Sequence, residues 1–334
     1  MVNKHRKKII IEVAVFCLFG IVVVWLYFAD FSKGAKMDYG VTFSSKYTQE
    51  LGLNWPSVYL EILNDLQVRD FRLVLYWDEA ERERGVFDWS GLDWQLDELA
   101  KVNGKAIVAI GERVPRWPEC HTPAWVSNLS AEEKQVALNN FVTQAVNHYK
   151  NQRAIISWQV ENEPFLDSFG ICQDLDTTAF RKEVAIVRAL DTRPVVITES
   201  GELSTWLGGG IIGDQVGTSV YRVVWNKTLG YFYYPLPPAY YYLKSWLVNF
   251  LTGEAKFFVS EMQMEPWSEG QLVIFLPLEK QLQGMNVTTF KNNLEYSRKV
   301  GLDPVYLWGV EWWYWLKEKQ NDSSLWEAAK EVWR

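Results

Sequence analysis

Histidine is scarce in this chain, with 3 in 334 residues. That leaves little room for a histidine-based metal site, and we expect neither a metal nor another cofactor. Cysteine is equally scarce at 3, and one of these, Cys17, lies in an apolar N-terminal run. Basic charge is also in short supply. Lys and Arg number 34 against 41 Asp and Glu, a formal net charge of −7. The basic cluster Lys4–Lys8 sits at the N-terminus, so the rest of the chain is more acidic still. An acidic body is a poor partner for nucleic acid, whose phosphates demand cations. No glycine-rich phosphate loop follows the first strand-like segment, which removes support for an open dinucleotide-binding sheet.

Aromatic residues, by contrast, are abundant, at 15% with 18 Trp. An indole offers a broad apolar face that suits flat, amphipathic ligands. Many of these rings are expected in the core, since apolar residues make up 48% of the chain and permit a large one.

The run Ile9–Phe28 carries one charge, Glu12, and is long enough to cross a bilayer as a helix. Its basic flank precedes it, so the N-terminus should stay cytoplasmic and the remainder lie outside. No clear small-x-small cleavage site follows. The expectation is a single-pass cell-membrane anchor, the alternative being secretion after signal cleavage. The domains then read as 1–36, a basic stub, anchor and short linker, and 37–334, a single body with no internal linker.

Within that body, strand-like and helix-like patterns alternate. Strands are expected at 38–44, 71–77, 105–111, 154–160, 194–198, 216–224, 256–261 and 304–310. Helical spacing of apolar residues separates them, for example Tyr59, Ile62, Leu63 and Leu66, or Phe180, Val184, Val187 and Leu190. Ser130 and Glu133 form a capping-box signature. Eight strand–helix units in about 300 residues predict a (β/α)8 TIM barrel.

In such a barrel the site lies where strands end and loops begin. The fourth predicted strand ends in Glu161, Asn162 and Glu163, the fifth in Glu199, and the seventh in Glu261. Arg72 lies on the second, Tyr221 on the sixth and Trp308 on the eighth, with Trp312 just beyond. His121 follows the third strand. Two carboxyls facing across a barrel mouth suit glycoside hydrolysis. One protonates the leaving oxygen, and the other attacks the anomeric carbon or activates water. Cys120 and Cys172 fall in neighbouring loops, after the third and fourth strands. They could pair as a disulfide bracing the rim or remain two free thiols.

The Asn-Glu-Pro tripeptide (Asn162–Pro164) at the end of the fourth strand, with Glu261 ending the seventh, resembles the clan A glycoside hydrolases. That clan includes families 5, 10, 39 and 42. A further likeness is "YWDEAERERGVFDW" (Tyr76–Trp89), similar to a stretch after the second strand in several of these families. The resemblance implies a carbohydrate substrate and a retaining β-glycosidase. Glu163 would be acid/base and Glu261 nucleophile. Asn162 would bind the sugar 2-hydroxyl, Arg72 would support the nucleophile and Tyr221 would touch it. Trp308, or its rival Trp312, would be a sugar platform, with Trp77, His121 and Glu199 as further substrate contacts. Two features depart from the pattern. The clan's histidine after the third strand has no neat counterpart, and the expected His-x-Tyr on the sixth reads Ser219-Val220-Tyr221. A catalytically inactive carbohydrate-binding barrel and a transglycosylase using the same glutamates remain alternatives.

Overall fold

The structure is a computed structural model that describes every residue except Met1, 167–169, 173–175, 227, 229 and 269–270. Among the described residues ten strands are formed: β1 (Tyr39–Phe43), β2 (Asp70–Val74), β3 (Lys105–Ile110), β4 (Ile155–Val160), β5 (Val195–Glu199), β6 (Gln215–Val220), β7 (Val223–Asn226), β8 (Gly230–Tyr233), β9 (Lys256–Gln263) and β10 (Val305–Trp308). Eight of them close into a parallel barrel in the order β1–β2–β3–β4–β5–β6–β9–β10, and β10 returns to pair with β1. This is the expected (β/α)8 architecture, and helices cover its outside.

The barrel closes because the strands are apolar on the face they turn to the helices. Phe71 and Leu73 on β2, Val108 and Ile110 on β3, and Val195 and Ile197 on β5 join the large core between strands and helices. Ile107, Val196, Phe258 and Tyr306 form a separate buried cluster from alternating positions on β3, β5, β9 and β10. Side chains alternate across a strand, so these four plug the bore while their neighbours face the helices. The Tyr306 hydroxyl donates to Asp70 at 2.7 Å, which satisfies the one polar atom that this layer brings inside. The surrounding helices begin where the sequence marks them. Ser130 and Glu133 make the reciprocal capping box at the start of Ala131–Tyr149.

One segment differs from expectation. The predicted strand 216–224 is split, because β6 ends at Val220 and β7 pairs antiparallel with β8 instead. The Gln263 side chain accounts for the break. Its Oε1 accepts the amides of Arg222 and Val223 at 2.8 and 2.9 Å, and its Nε2 donates to the Val223 carbonyl at 2.8 Å. A side chain thus takes the bonds that a continued strand would have made. The glycine-rich segment after β5 holds a short helix, Leu207–Ile212. The aromatic segment that follows the hairpin becomes the helix Pro238–Thr252.

The N-terminal helix spans Val2–Phe28. Its stretch Arg6–Phe28 is long and apolar enough to cross a membrane. The segment after it is held against the barrel. Asp30 pairs with Arg298 at 2.5 Å, and the Phe31 amide donates to the Lys299 carbonyl at 3.0 Å. Gly301 has a φ of +72°, and a Cβ there would stand 2.6 Å from the Phe31 backbone. That close approach requires glycine.

Candidate active site

The mouth of the barrel is built by a break in strand periodicity. On β9, Phe258 points into the bore, so regular alternation would aim Ser260 inward and Glu261 outward. The register shows otherwise. Thr218 of β6 pairs with Val259, but Ser219 pairs with Glu261. On the other side, Val305 pairs with Val259 and Leu307 with Met262. Both neighbours therefore see one extra residue on β9, a β-bulge at Ser260, which re-aims the side chain that follows. It turns Glu261 into the bore.

There the Glu261 carboxylate meets two donors. Arg72 Nη1 donates to its Oε1 at 2.7 Å, and the Tyr221 hydroxyl to its Oε2 at 3.1 Å. Arg72 is fully buried and uses its whole fork. Nε donates to Gln159 Oε1 at 2.7 Å and Nη2 to Asn162 Oδ1 at 2.8 Å. A buried guanidinium bonded this way fixes the relative position of β2, β4 and β9. Removing one partner of such a pair costs roughly 3–5 kcal/mol, because the other charge is stranded.

Asn162 and Glu163 stand on the β4 loop. Glu161 and Glu163 both take left-handed backbone, with φ of 57° and 45°, which is uncommon for residues with a side chain. The two kinks send the neighbouring carboxylates in different directions. Glu161 turns away from the mouth and accepts the amides of Glu112 and Arg113 at 2.8 and 2.5 Å. Its carboxyl lies over Gly111, where a Cβ would meet Glu161 Oε1 at 2.2 Å. Glu163 points inward. Its amide donates to Thr198 Oγ1, and Ser219 Oγ donates to its Oε1, both at 2.9 Å. Since Ser219 is the pairing partner of Glu261, one serine links the two glutamates. Burial first, then the charges of Glu261 and Glu119, raises the Glu163 pKa well above the usual carboxylate range. Such a shift favours the protonated form.

Glu119 was not expected from the sequence. It accepts from Asn162 Nδ2 at 2.9 Å, and burial pushes its pKa up to about 8. Both ends of the Asn162 amide are therefore engaged within the protein. Arg116 was also missed. It ion-pairs with Glu265 at 2.5 Å and Glu311 at 2.8 Å. Its guanidinium lies 3.8 Å from the Tyr47 ring centroid and 3.9 Å from that of Trp308. Nothing in the string "GERVPRWPECH" separates these residues from ordinary loop charges, because their partners lie far along the chain.

The remaining expected contacts divide. Trp308 is at the mouth, its indole donating to Glu265 at 2.7 Å with Arg116 on one face. His121 is near but occupied. Its ring nitrogens lie 3.1 Å from Lys46 Nζ and 3.0 Å from the Arg116 carbonyl. Burial, then the charge of Lys46, lowers its pKa to about 4, so the ring is neutral. Three expectations need correction. Trp312 is fully buried in the helix Val310–Lys319 and donates to Gln281, because β10 has already ended at Trp308. Trp77 is fully buried and stacks on Phe141, since β2 ends at Val74 and a short helix turns the indole into the outer core. Glu199 accepts the Gly209 amide at 2.8 Å. It faces the helices, because its neighbour Thr198 holds the bore-facing position. Cys120 and Cys172 form a disulfide with a Cα separation of 5.4 Å. Among the described residues no group of three or more His, Cys, Asp or Glu could hold a metal ion.

The family model for glycosyl hydrolase family 10 matches residues 74–185. That stretch contains Asn162 and Glu163 but not Glu261. The endo-1,4-beta-xylanase C of Phanerodontia chrysosporium is 37% identical over 97 residues. Among solved structures, a family 42 β-galactosidase from G. stearothermophilus superposes with a TM-score of 0.59 at 12% identity, covering 91% of this chain and 57% of that one. The fold is that of the clan A glycoside hydrolases. A family 10 endo-β-1,4-xylanase from Gloeophyllum trabeum agrees, with a TM-score of 0.51 at 16% identity over 84% of this chain and 87% of that chain. The aligned stretch covers 27% of this chain and only 22% of the Phanerodontia xylanase, and the chain spans about half the length of the β-galactosidase.

Proposed function

We propose that the chain is a retaining glycoside hydrolase cleaving β-glycosidic bonds in an oligo- or polysaccharide. Glu261 attacks the anomeric carbon as the glycosidic C–O bond breaks. Glu163 gives its proton to the departing oxygen. A glycosyl ester on Glu261 results. The observation that carries this reading is the opposed setting of the two carboxyls. Glu261 accepts from Arg72 and Tyr221, while burial and the neighbouring charge of Glu261 raise the pKa of Glu163. The same geometry supplies the second half of the cycle. Once Glu261 is esterified, its negative charge is gone and part of what raised the Glu163 pKa disappears. Glu163, now deprotonated, can take a proton from water as that water attacks the ester. A sugar hydroxyl entering beside Asn162 meets both its amide and the protonated Glu119. The matched xylanases make β-1,4-xylan and its oligomers the first substrates to test.

We further infer that the helix Val2–Phe28 is a single-pass anchor and that 37–334 works outside the cytoplasm. A disulfide in the barrel fits an oxidising compartment.

The test uses the full chain in detergent with xylo-oligosaccharides and aryl β-glycosides. Glu163→Gln and Glu261→Gln are each expected to lose at least about a thousandfold in kcat/KM on xylo-oligosaccharides, with unchanged circular dichroism. Glu163→Ala should keep activity on a substrate with an activated leaving group, and azide should restore turnover. Full activity in either glutamine variant sinks the assignment.

A further inference from the structure

The helix Pro238–Thr252 packs one face on the barrel through Ala239, Tyr241, Ser245 and Val248. Its other face is also apolar. Leu243, Trp246, Leu247, Phe250 and Leu251 recur at the i, i+3, i+4, i+7, i+8 spacing that makes a single helical stripe. These side chains are exposed, Trp246 by 61% and Phe250 by 75%. Contiguous apolar surface of this kind marks an interaction site.

What covers it is indicated by its position. The N-terminal helix ends against the start of this one. The Tyr27 hydroxyl donates to the Pro235 carbonyl at 2.5 Å, and the Phe31 ring stacks on Tyr242 with centroids 4.4 Å apart. Tyr242 directly precedes Leu243. The stripe thus begins where the apolar helix leaves its span and continues along the surface beside it. Its composition, Trp and Phe among leucines, is that of a helix lying in a headgroup–acyl boundary. The chain is acidic overall, so apolar burial and not attraction to anionic lipid must supply the contact.

We propose that the helix Pro238–Thr252 docks the barrel on the membrane, with Leu243, Trp246, Leu247, Phe250 and Leu251 inserted into the lipid interface. This rests on the reading of Val2–Phe28 as an anchor, and the test separates the two. The full chain is reconstituted into phosphatidylcholine vesicles with a fluorescent thiol label at one site at a time. Cys17, the free cysteine inside the span, reports the anchor. Phe250→Cys in a Cys17→Ser background reports the stripe, with Leu247→Cys as a second position should the first fold poorly. Val136→Cys, exposed on another helix, is the aqueous control.

Labels at 250 and 247 are expected to be quenched by acyl-brominated lipid. They should also be shielded from aqueous iodide several-fold relative to 136, with no change in molar salt. If those sites are as open to iodide as 136 while the Cys17 label is quenched by brominated lipid, the anchor stands and the docking is refuted. If Cys17 also escapes the brominated lipid, the anchor fails and the docking with it. Shielding from both quenchers that rises with the protein-to-lipid ratio means that a second copy covers the stripe, which also overturns the proposal.

Discussion

Glu161 and Glu163 carry the same side chain, lie two positions apart and share a left-handed backbone, yet their surroundings give them different chemistry. Glu161 is tied to backbone amides behind the mouth, and Glu163 faces Ser219 and Glu261. The sequence separates them only through the Asn-Glu-Pro likeness, since spacing alone treats them alike. Glu119 has no such signal. Its partner Asn162 is 43 residues away, and only the closed barrel brings them together. Its burial has a measurable consequence. The folded protein keeps on Glu119 a proton that an unfolded glutamate gives up near 4.5, and releases it only at about 8. The unfolded state therefore binds fewer protons in that window, and stability falls as pH rises through it. Glu119→Gln removes this titration with little change of shape. Urea unfolding across the window should show a shallower decline, by up to about 1.4 kcal/mol per pH unit. An unchanged slope would mean that Glu119 is ionised in the folded protein.

At the scale of elements, the alternation of apolar runs made the eight barrel strands legible, and their ends came within a few residues. Strand parity at β9 was not legible. "KFFVSE" gives no sign that Ser260 is extra, because a bulge is defined by the register of two neighbours and not by its own residues. The same limit explains Trp77 and Trp312. Each follows a strand that stops earlier than its apolar run, and a helical turn then carries the indole into the outer core. Glu199 went wrong by the opposite parity, one position out of phase with Thr198. The bulge makes a sharp prediction. Deleting Ser260 removes the extra residue and leaves Glu261 as the regular successor of Val259, still facing the bore opposite Ser219. The variant is expected to keep hydrolysis that Glu261→Gln loses. A fall to the level of Glu261→Gln would mean that Ser260 is not the extra residue.

For the whole molecule, the disulfide ties the loop after β3 to the loop after β4 across a sequence separation of 52. Both loops carry site residues, Glu119 and Arg116 on one and Glu163 on the other. By constraining the unfolded chain, a bridge of this span contributes about 2–4 kcal/mol. Cys120→Ser with Cys172→Ser should lower the urea midpoint correspondingly, and reductant should lower that of the natural chain as much. Equal midpoints in all three conditions would mean that the bridge is absent in solution.

The docked segment after the N-terminal helix bears on what such a molecule can reach. Asp30 and Phe31 are bound to Arg298, Lys299 and Tyr242, so no free leash separates the anchor from the barrel. A catalyst on a long tether sweeps a hemisphere and can find polymers well away from its membrane. Mounted without one on the anchor proposed above, this barrel would sample a thin sheet of space that moves with the bilayer. Its turnover would be set by how many glycan chains lie along the cell surface, and hardly by their concentration in the surrounding liquid.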